Sequence, residues 1–434
     1  MEEPLVASTA DWRWWVHDRF GLFIHWGLYA LPARHEWVKH HERMSDEAYQ
    51  TYFDHFDPDL YDPRAWARAA QDAGMRYVVI TSKHHEGFCL WDSTYTDYKA
   101  TNTPCGKDLL KPAVEAFRDE GLRVGFYHSL IDWHHPEFPV DRMHPMRDNA
   151  EFRQGAQGRD IRTYQGYLQA QVRELLTGFG PIDVLFFDFS YPGEDGKGRA
   201  DWQSEALLKM VREQQPQALV NDRLDLLDVP GGWDYRTPEQ VTLREGLRAP
   251  DGRPVLWETC QTFSGSWGYH RDETSWKSVE QLVQLLIDTV SKGGNLLLNV
   301  GPTGRGEFDH RALERLSGIG QWMRRHGRSI YGCTEAPPGL RTPQDGRLTY
   351  NPDTKRLYVH VFNWPIQALH LEGLAGQVTY AHLLHDASEV RFSEHPEGLT
   401  HWGSGAGDVL TLELPVQRPE VAVPVIELFL KQVV

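Results

Sequence analysis

The stretch IDVLFFDFSYPG, Ile182–Gly193, sets four apolar residues in a row, Val184 to Phe187, and then a carboxylate, Asp188. A strand that lacks polar alternation is buried on both faces, as in a parallel sheet covered by helices. An ionised group at the end of such a run costs free energy unless something pairs with it or uses it. The stretch therefore raises the questions of fold and of chemistry together.

Working outward, six other segments read the same way: GLFIHWG from Gly21, RYVVITSKHH from Arg76, LRVGFYHS from Leu122, ALVNDR from Ala218, PVLWETC from Pro254 and NLLLNVGP from Asn295. Between several of them lie stretches with apolar residues at three- and four-residue intervals, such as PRAWARAAQDAG and SVEQLVQLLIDTVSKGG. Gly74, Gly121 and Gly293 stand where C-terminal helix caps belong. Alternating strands and helices predict a parallel α/β architecture. Almost every strand turns polar at its C-terminal end: His25, His84–His85, His128, Asp188, Asn221–Asp222–Arg223, Glu258 and Asn299. An open doubly wound sheet gathers its site at one switch point, whereas a (β/α)8 barrel collects residues from all strand ends on one face. The pattern favours the barrel. Seven strands are counted where eight are needed, so one is irregular or unread.

After about Ala336 the pattern changes to short alternating runs, among them GRLTYN, ALHLEGL, DVLTLELP and VPVIELFLKQ, separated by turns. These predict a small antiparallel β-sandwich over residues 336–434, packed directly on a (β/α)8-like barrel over 1–335.

Composition excludes several classes. Acidic residues outnumber basic ones, 61 to 45, which disfavours nucleic acid or an anionic membrane as partner. No apolar run approaches the roughly 18 residues that span a bilayer. The opening MEEPLVASTADW has no basic then apolar leader pattern, so a cytoplasmic location is expected. Four scattered cysteines read as reduced thiols. With 16 Trp, 17 Tyr and 18 Phe, the chain has aromatic faces enough either to fill a large core or to pack on sugar rings.

The doublets His40–His41, His84–His85 and His134–His135 invite a metal reading, but adjacent strand residues point to opposite faces and cannot chelate one ion together. Lining a cleft, imidazoles can instead contact sugar hydroxyls. VGPTGRGEF lacks the P-loop and dinucleotide patterns, and Ser266 in GSWG is not a nucleophile elbow. Carboxylates remain, and two of them flanking one bond suffice for glycoside hydrolysis. Asp188 suits one role, with Phe187, Phe189 and Tyr191 expected to keep water thin around it. For its partner, Glu239, Glu258, Glu36 and Glu86 all stand on loops or strand ends, and spacing does not choose among them.

Six motifs, FGLFIHWGLYALPARHEW, YVVITSKHHEGFCLWDS, GFYHSLIDWHHP, DVLFFD, VNDR and SWGYHRDE…LLIDTVSKGGNLLLNVGPTGRGEF, together resemble the α-L-fucosidases of glycoside hydrolase family 29. The resemblance runs from Phe20 to Phe308 and implies an irregular barrel with a C-terminal sandwich. It also implies exo-acting, retaining hydrolysis of terminal α-L-fucosides, with no cofactor and no metal. Asp188 matches the family nucleophile, and Glu239 in RTPEQ matches the acid/base, with Glu258 as second choice. His25, Glu36, Trp37, His84, His85, His128, Arg223 and Trp267 match substrate-binding positions, Trp37 and Trp267 as apolar walls for the C5 methyl. Arg223 and the histidines are expected to hold Asp188 ionised. Phe186, Glu86 and the run NDRLDLLDVPGGW depart from the usual family pattern. The implied partner is a fucosylated oligosaccharide, and assembly into homo-oligomers is common in the family. Competing readings are a fucose-binding protein without hydrolytic activity, a glycosidase for a related sugar such as an α-L-galactoside, and a metal-dependent barrel hydrolase.

Overall fold

A computed structural model describes residues 10–394 and 408–431; most of the opening segment read for a leader, residues 1–9, lies outside them. Seven strands form one sheet: β1 Phe20–Ile24, β2 Tyr77–Lys83, β3 Arg123–Ser129, β4 Val184–Asp188, β5 Leu219–Val220, β6 Glu258–Thr262 and β7 Asn295–Val300. Their order is β5-β4-β3-β2-β1-β7-β6, with every pairing parallel.

Burial on both faces has a simple origin: alternate residues enter different cores. Phe20, Leu22 and Ile24 of β1, like Leu185 and Phe187 of β4, pack outward in the larger cluster with the helices. Phe23, Tyr77, Val79, Tyr127, Val184, Phe186 and Leu297 pack inward on one another. The parity that sends Val184 and Phe186 inward sends Asp188 inward too. The helices are closed by their predicted caps. The helix Pro63–Asp72 begins at Asp62, whose carboxylate accepts from Arg64 N and Ala65 N, and Gly74 (φ 86°) ends it.

The sheet is a curled half-barrel of seven strands, not a ring of eight. The segment 234–240, read as a loop in the sequence, spans the gap between its two edges. Asp234 N donates to Val220 O beside β5, while Arg236 N donates to Leu256 O and Gln240 N to Cys260 O along β6. Only isolated parallel bridges result, Asn221 with Tyr235, Arg236 with Trp257 and Glu239 with Cys260. Pro238 lies inside the segment and has no N–H to donate, which is one reason a continuous ladder does not form.

The C-terminal part has two antiparallel sheets. Strands β8 Gly346–Asn351, β9 Arg356–Val361, β11 Val378–Leu383 and β14 Val425–Leu430 make one, in the order β11-β14-β9-β8. Strands β10 Ala368–Glu372, β12 Arg391–Ser393 and β13 Val409–Glu413 make the other. Leu348, Leu357, Leu410, Leu412 and Leu428 fill the space between them. The sandwich docks on the outer helices: Arg347 Nε meets Asp288 Oδ1 at 2.6 Å, and Trp322 Nε1 donates to Val423 O at 2.8 Å.

Candidate active site

Asp188 ends β4 at the C-terminal face and is 8% exposed. Its Oδ1 accepts from Arg223 Nη1 at 2.7 Å and its Oδ2 from Tyr127 Oη at 2.7 Å. The same Arg223 Nη1 lies 2.8 Å from Glu239 Oε2. Two carboxylate oxygens held by one nitrogen at 2.7 and 2.8 Å can be no farther apart than the sum of those distances, about 5.5 Å, a close approach of the kind retaining glycosidases use. Arg223 is in turn fixed through Nε on Thr237 Oγ1 at 3.0 Å, and Thr237 N donates to Asp222 Oδ1 at 3.1 Å. The irregular segment 234–240 thus carries Glu239 to Asp188 and is tied to the β5 loop that carries Arg223. Burial, with the Asp188 charge adding to it, pushes the Tyr127 phenol well above its ordinary range, so it remains a donor.

The histidines serve as acceptors. His25 Nδ1 meets Asn299 Oδ1 at 2.6 Å, and Asn299 Nδ2 donates to Trp267 O at 2.6 Å, which fixes the amide. His25 therefore carries its proton on Nδ1 and leaves Nε2 with a lone pair. Ser129 Oγ donates to Ile131 O at 2.8 Å, so it accepts from His85 Nδ1 at 2.7 Å, and His85 Nε2 is likewise an acceptor, 3.8 Å from Asp188 Oδ2. Burial first, and then neighbouring imidazoles, hold both rings well below the usual imidazole range. Of the groups expected to hold Asp188 ionised, Arg223 supplies positive charge beside it and neutral His25 and His85 do not. His84 stacks on Tyr127 at 5.5 Å and lies tilted against His85 at 4.0 Å.

Glu36 is buried, and its Oε2 accepts from Trp267 N at 3.1 Å and Gly268 N at 2.8 Å. That close approach explains Gly268: a Cβ there would stand 2.8 Å from the Tyr29 ring and 3.0 Å from Glu36 Cβ. Glu36 Oε1 makes no hydrogen bond; His35 Nδ1, which accepts from Trp37 N, lies 3.2 Å from it. Trp267 lies 5.2 Å from His25, and half-buried Trp37 lies 5.1 Å from His85. His25, His84, His85, Glu36, Trp37, Trp267, Arg223, Asp188 and Glu239 are thus brought together at one face.

Three expectations fail. His128 is buried on the opposite face of β3, its Nδ1 2.9 Å from Ser82 Oγ and its ring 6.1 Å from Trp91. Its neighbour Tyr127 points inward in its place. Phe187 likewise points out to the helices, and Phe186 occupies the interior. Glu258 does not end a strand but opens β6, paired with Asn295, the first residue of β7. It lies fully buried at the far pole of the half-barrel, accepting from Tyr77 Oη, and so is removed from Asp188. Glu86 is placed behind His84, its Oε2 3.5 Å from Nδ1. The sequence does not single out Tyr127 or Asn299 as site groups; only the place of Asn299 at a strand end points to it.

Burial pushes Glu258 from 4.5 up to about 8. The folded chain then keeps a proton that the unfolded chain releases, so this group makes stability fall as pH rises from about 4.5 toward 8. Glu258→Gln cannot ionise and should gain on wild type by on the order of a few kcal/mol between pH 5 and 9. Denaturant melts at both pH values measure the gap, and a gap that does not widen with pH refutes the account.

Among the described residues, no three His, Cys, Asp or Glu side chains converge as a metal site would require, the histidine doublets included. No helix among them is long and apolar enough to cross a membrane. The sequence profile described as Alpha-L-fucosidase matches residues 3–328. Human plasma alpha-L-fucosidase is 30% identical over 431 residues, covering 93% of this chain and 85% of that one. Alpha-L-fucosidase isoenzyme 1 from Paenibacillus thiaminolyticus superposes with a TM-score of 0.91 at 47% identity, over 97% of this chain and 99% of that one. An alpha-L-fucosidase from Bacteroides thetaiotaomicron, trapped as a covalent intermediate with 2-fluoro-fucosyl fluoride, gives 0.82 at 27% identity over 100% and 98%.

Proposed function

The chain belongs to the α-L-fucosidase family, and from that premise we propose that Asp188 is its nucleophile and Glu239 its general acid/base. It is a glycoside hydrolase, an exo-acting α-L-fucosidase of the retaining kind. The observation that carries the residue assignment is the shared guanidinium, which sets the facing oxygens of the two carboxylates no more than about 5.5 Å apart. In the first step an Asp188 oxygen bonds to the anomeric carbon as the bond to the aglycone oxygen breaks, and Glu239 protonates the departing oxygen. In the second step Glu239 takes a proton from water, which attacks the same carbon and frees Asp188.

Arg223 offsets the negative charge of Asp188, and the Tyr127 hydroxyl holds Oδ2, leaving the carboxylate ordered for attack. The Nε2 lone pairs of His25 and His85 and the Oε1 of Glu36, which makes no hydrogen bond within the chain, accept hydrogen bonds from sugar hydroxyls. Trp37 and Trp267 give the apolar walls. A methyl in such a wall is worth only about 1–3 kcal/mol of selection, so the hydroxyl contacts do most of it.

Hydrolysis of 4-nitrophenyl α-L-fucoside, followed by proton NMR of the sugar, tests the proposal. Turnover that survives EDTA and gives α-L-fucose as the first-formed anomer is expected. The β anomer appearing first would refute the double displacement by this pair.

A further inference from the structure

Resting on the reading that Asp188 and Glu239 flank the bond to be cut, we propose that Phe189 is a specificity-determining residue. It walls the sugar pocket on the side away from the leaving group and confines it to a terminal fucose whose facing hydroxyl carries no substituent.

Phe189 directly follows Asp188 and has φ 81°. That region is disfavoured for a bulky L-residue and free for glycine, so an aromatic ring is carried here against the local backbone preference. Such a conformation persists where the surroundings impose it, and the chain is clamped on both sides. Asp188 O accepts from Leu130 N at 2.9 Å, and Asn221 holds Phe187 through both N–H and C=O at 3.0 and 2.9 Å. Beyond it, Tyr191 and Lys197 exchange backbone hydrogen bonds of 2.8 and 3.1 Å, and Tyr191 Oη donates to Asp141 Oδ2 at 2.5 Å.

The direction of the ring decides its role. Asp188 Oδ1 looks toward Arg223 and, through it, Glu239, where the leaving group must sit. Asp188 Oδ2 looks the other way, toward Tyr127 and His85. The Phe189 ring stands on this second side, 4.9 Å from His85, 5.2 Å from Trp37 and 5.3 Å from Tyr191. These contacts set the ring away from the Glu239 side, where the aglycone sits. It lies beyond whichever hydroxyl His85 and Trp37 hold, and only half-buried, it forms the outer edge of the pocket there. A methyl, a sulfate or a further sugar on that hydroxyl would meet the ring.

The test compares 4-nitrophenyl α-L-fucoside with its 2-, 3- and 4-O-methyl ethers, using wild type, Phe189→Gly and Phe189→Ala. Wild type should discriminate against the ether at the facing hydroxyl by at least about 100-fold in kcat/KM. Both variants should narrow that ratio at least tenfold for one ether, a gain that loss of packing alone does not produce. Phe189→Gly should also melt at a higher temperature than Phe189→Ala, since only glycine relieves the positive φ. If the parent fucoside is turned over but all three ratios stay within twofold of wild type in both variants, this inference alone is overturned. If wild type is inert on the parent, the assignment of the carboxylate pair is overturned and this inference with it.

Discussion

Asp188→Ala should lower kcat on 4-nitrophenyl α-L-fucoside by roughly 10⁴-fold or more, equivalent to about 5.5 kcal/mol of barrier. Neither other carboxylate of the site replaces it: Glu239 reaches the same point only across Arg223, and Glu36 is turned to the Trp267 and Gly268 amides. The fold should survive, because Arg223 keeps Glu239 and Thr237 as partners when Asp188 is gone. Azide added to the variant should attack from the vacated side and yield the β-fucosyl azide. Residual activity within tenfold of wild type, with a normal melt, would remove Asp188 from the nucleophile role.

Glu239→Ala should separate the two half-reactions. 4-Nitrophenol leaves without help, so the first step suffers little, while the second loses the base that activates water, a loss of about 10²–10⁴ in kcat. KM should fall with kcat as the covalent intermediate accumulates. Azide needs no base, so it should restore turnover and give the α-fucosyl azide. On a disaccharide, whose leaving alcohol does need a proton, the loss should be larger and azide should not repair it. Glu258→Gln serves as the contrast, since Glu258 lies at the opposite pole of the half-barrel. Azide rescue at position 258 and none at 239 would reverse the assignment.

Much of the architecture is legible in the residues. The run from Val184 to Phe187 announces a strand covered on both sides, and seven such runs with helical stretches between them specify a parallel sheet with helices outside. The alternating runs after Ala336 specify the antiparallel sheets. The carboxylate at the end of β4 is legible too, because an ionised group has no place at a core boundary without a partner or a use.

What stayed hidden depends on register and on contacts between distant segments. In a strand buried on both faces hydropathy carries no parity, so the sequence cannot say whether Tyr127 or His128 looks inward; the β3–β4 ladder decides for Tyr127. LWETC reads as a strand ending at Glu258, yet the ladder with β7 begins there, which places that carboxylate at the wrong pole. The segment 234–240 has no apolar run to mark it, and only the gap between β5 and β6 gives it backbone partners. Composition, motif and resemblance determine that this chain folds as a barrel-like parallel α/β domain with a β-sandwich and works with carboxylates; that the sheet stops at seven strands, a half-barrel, only the tertiary structure decides. Motif resemblance puts Glu239 ahead of Glu258, but spacing in the sequence does not choose between them; the tertiary structure stands Glu239 opposite Asp188, because one guanidinium, Arg223, ties two loops across the gap in the sheet.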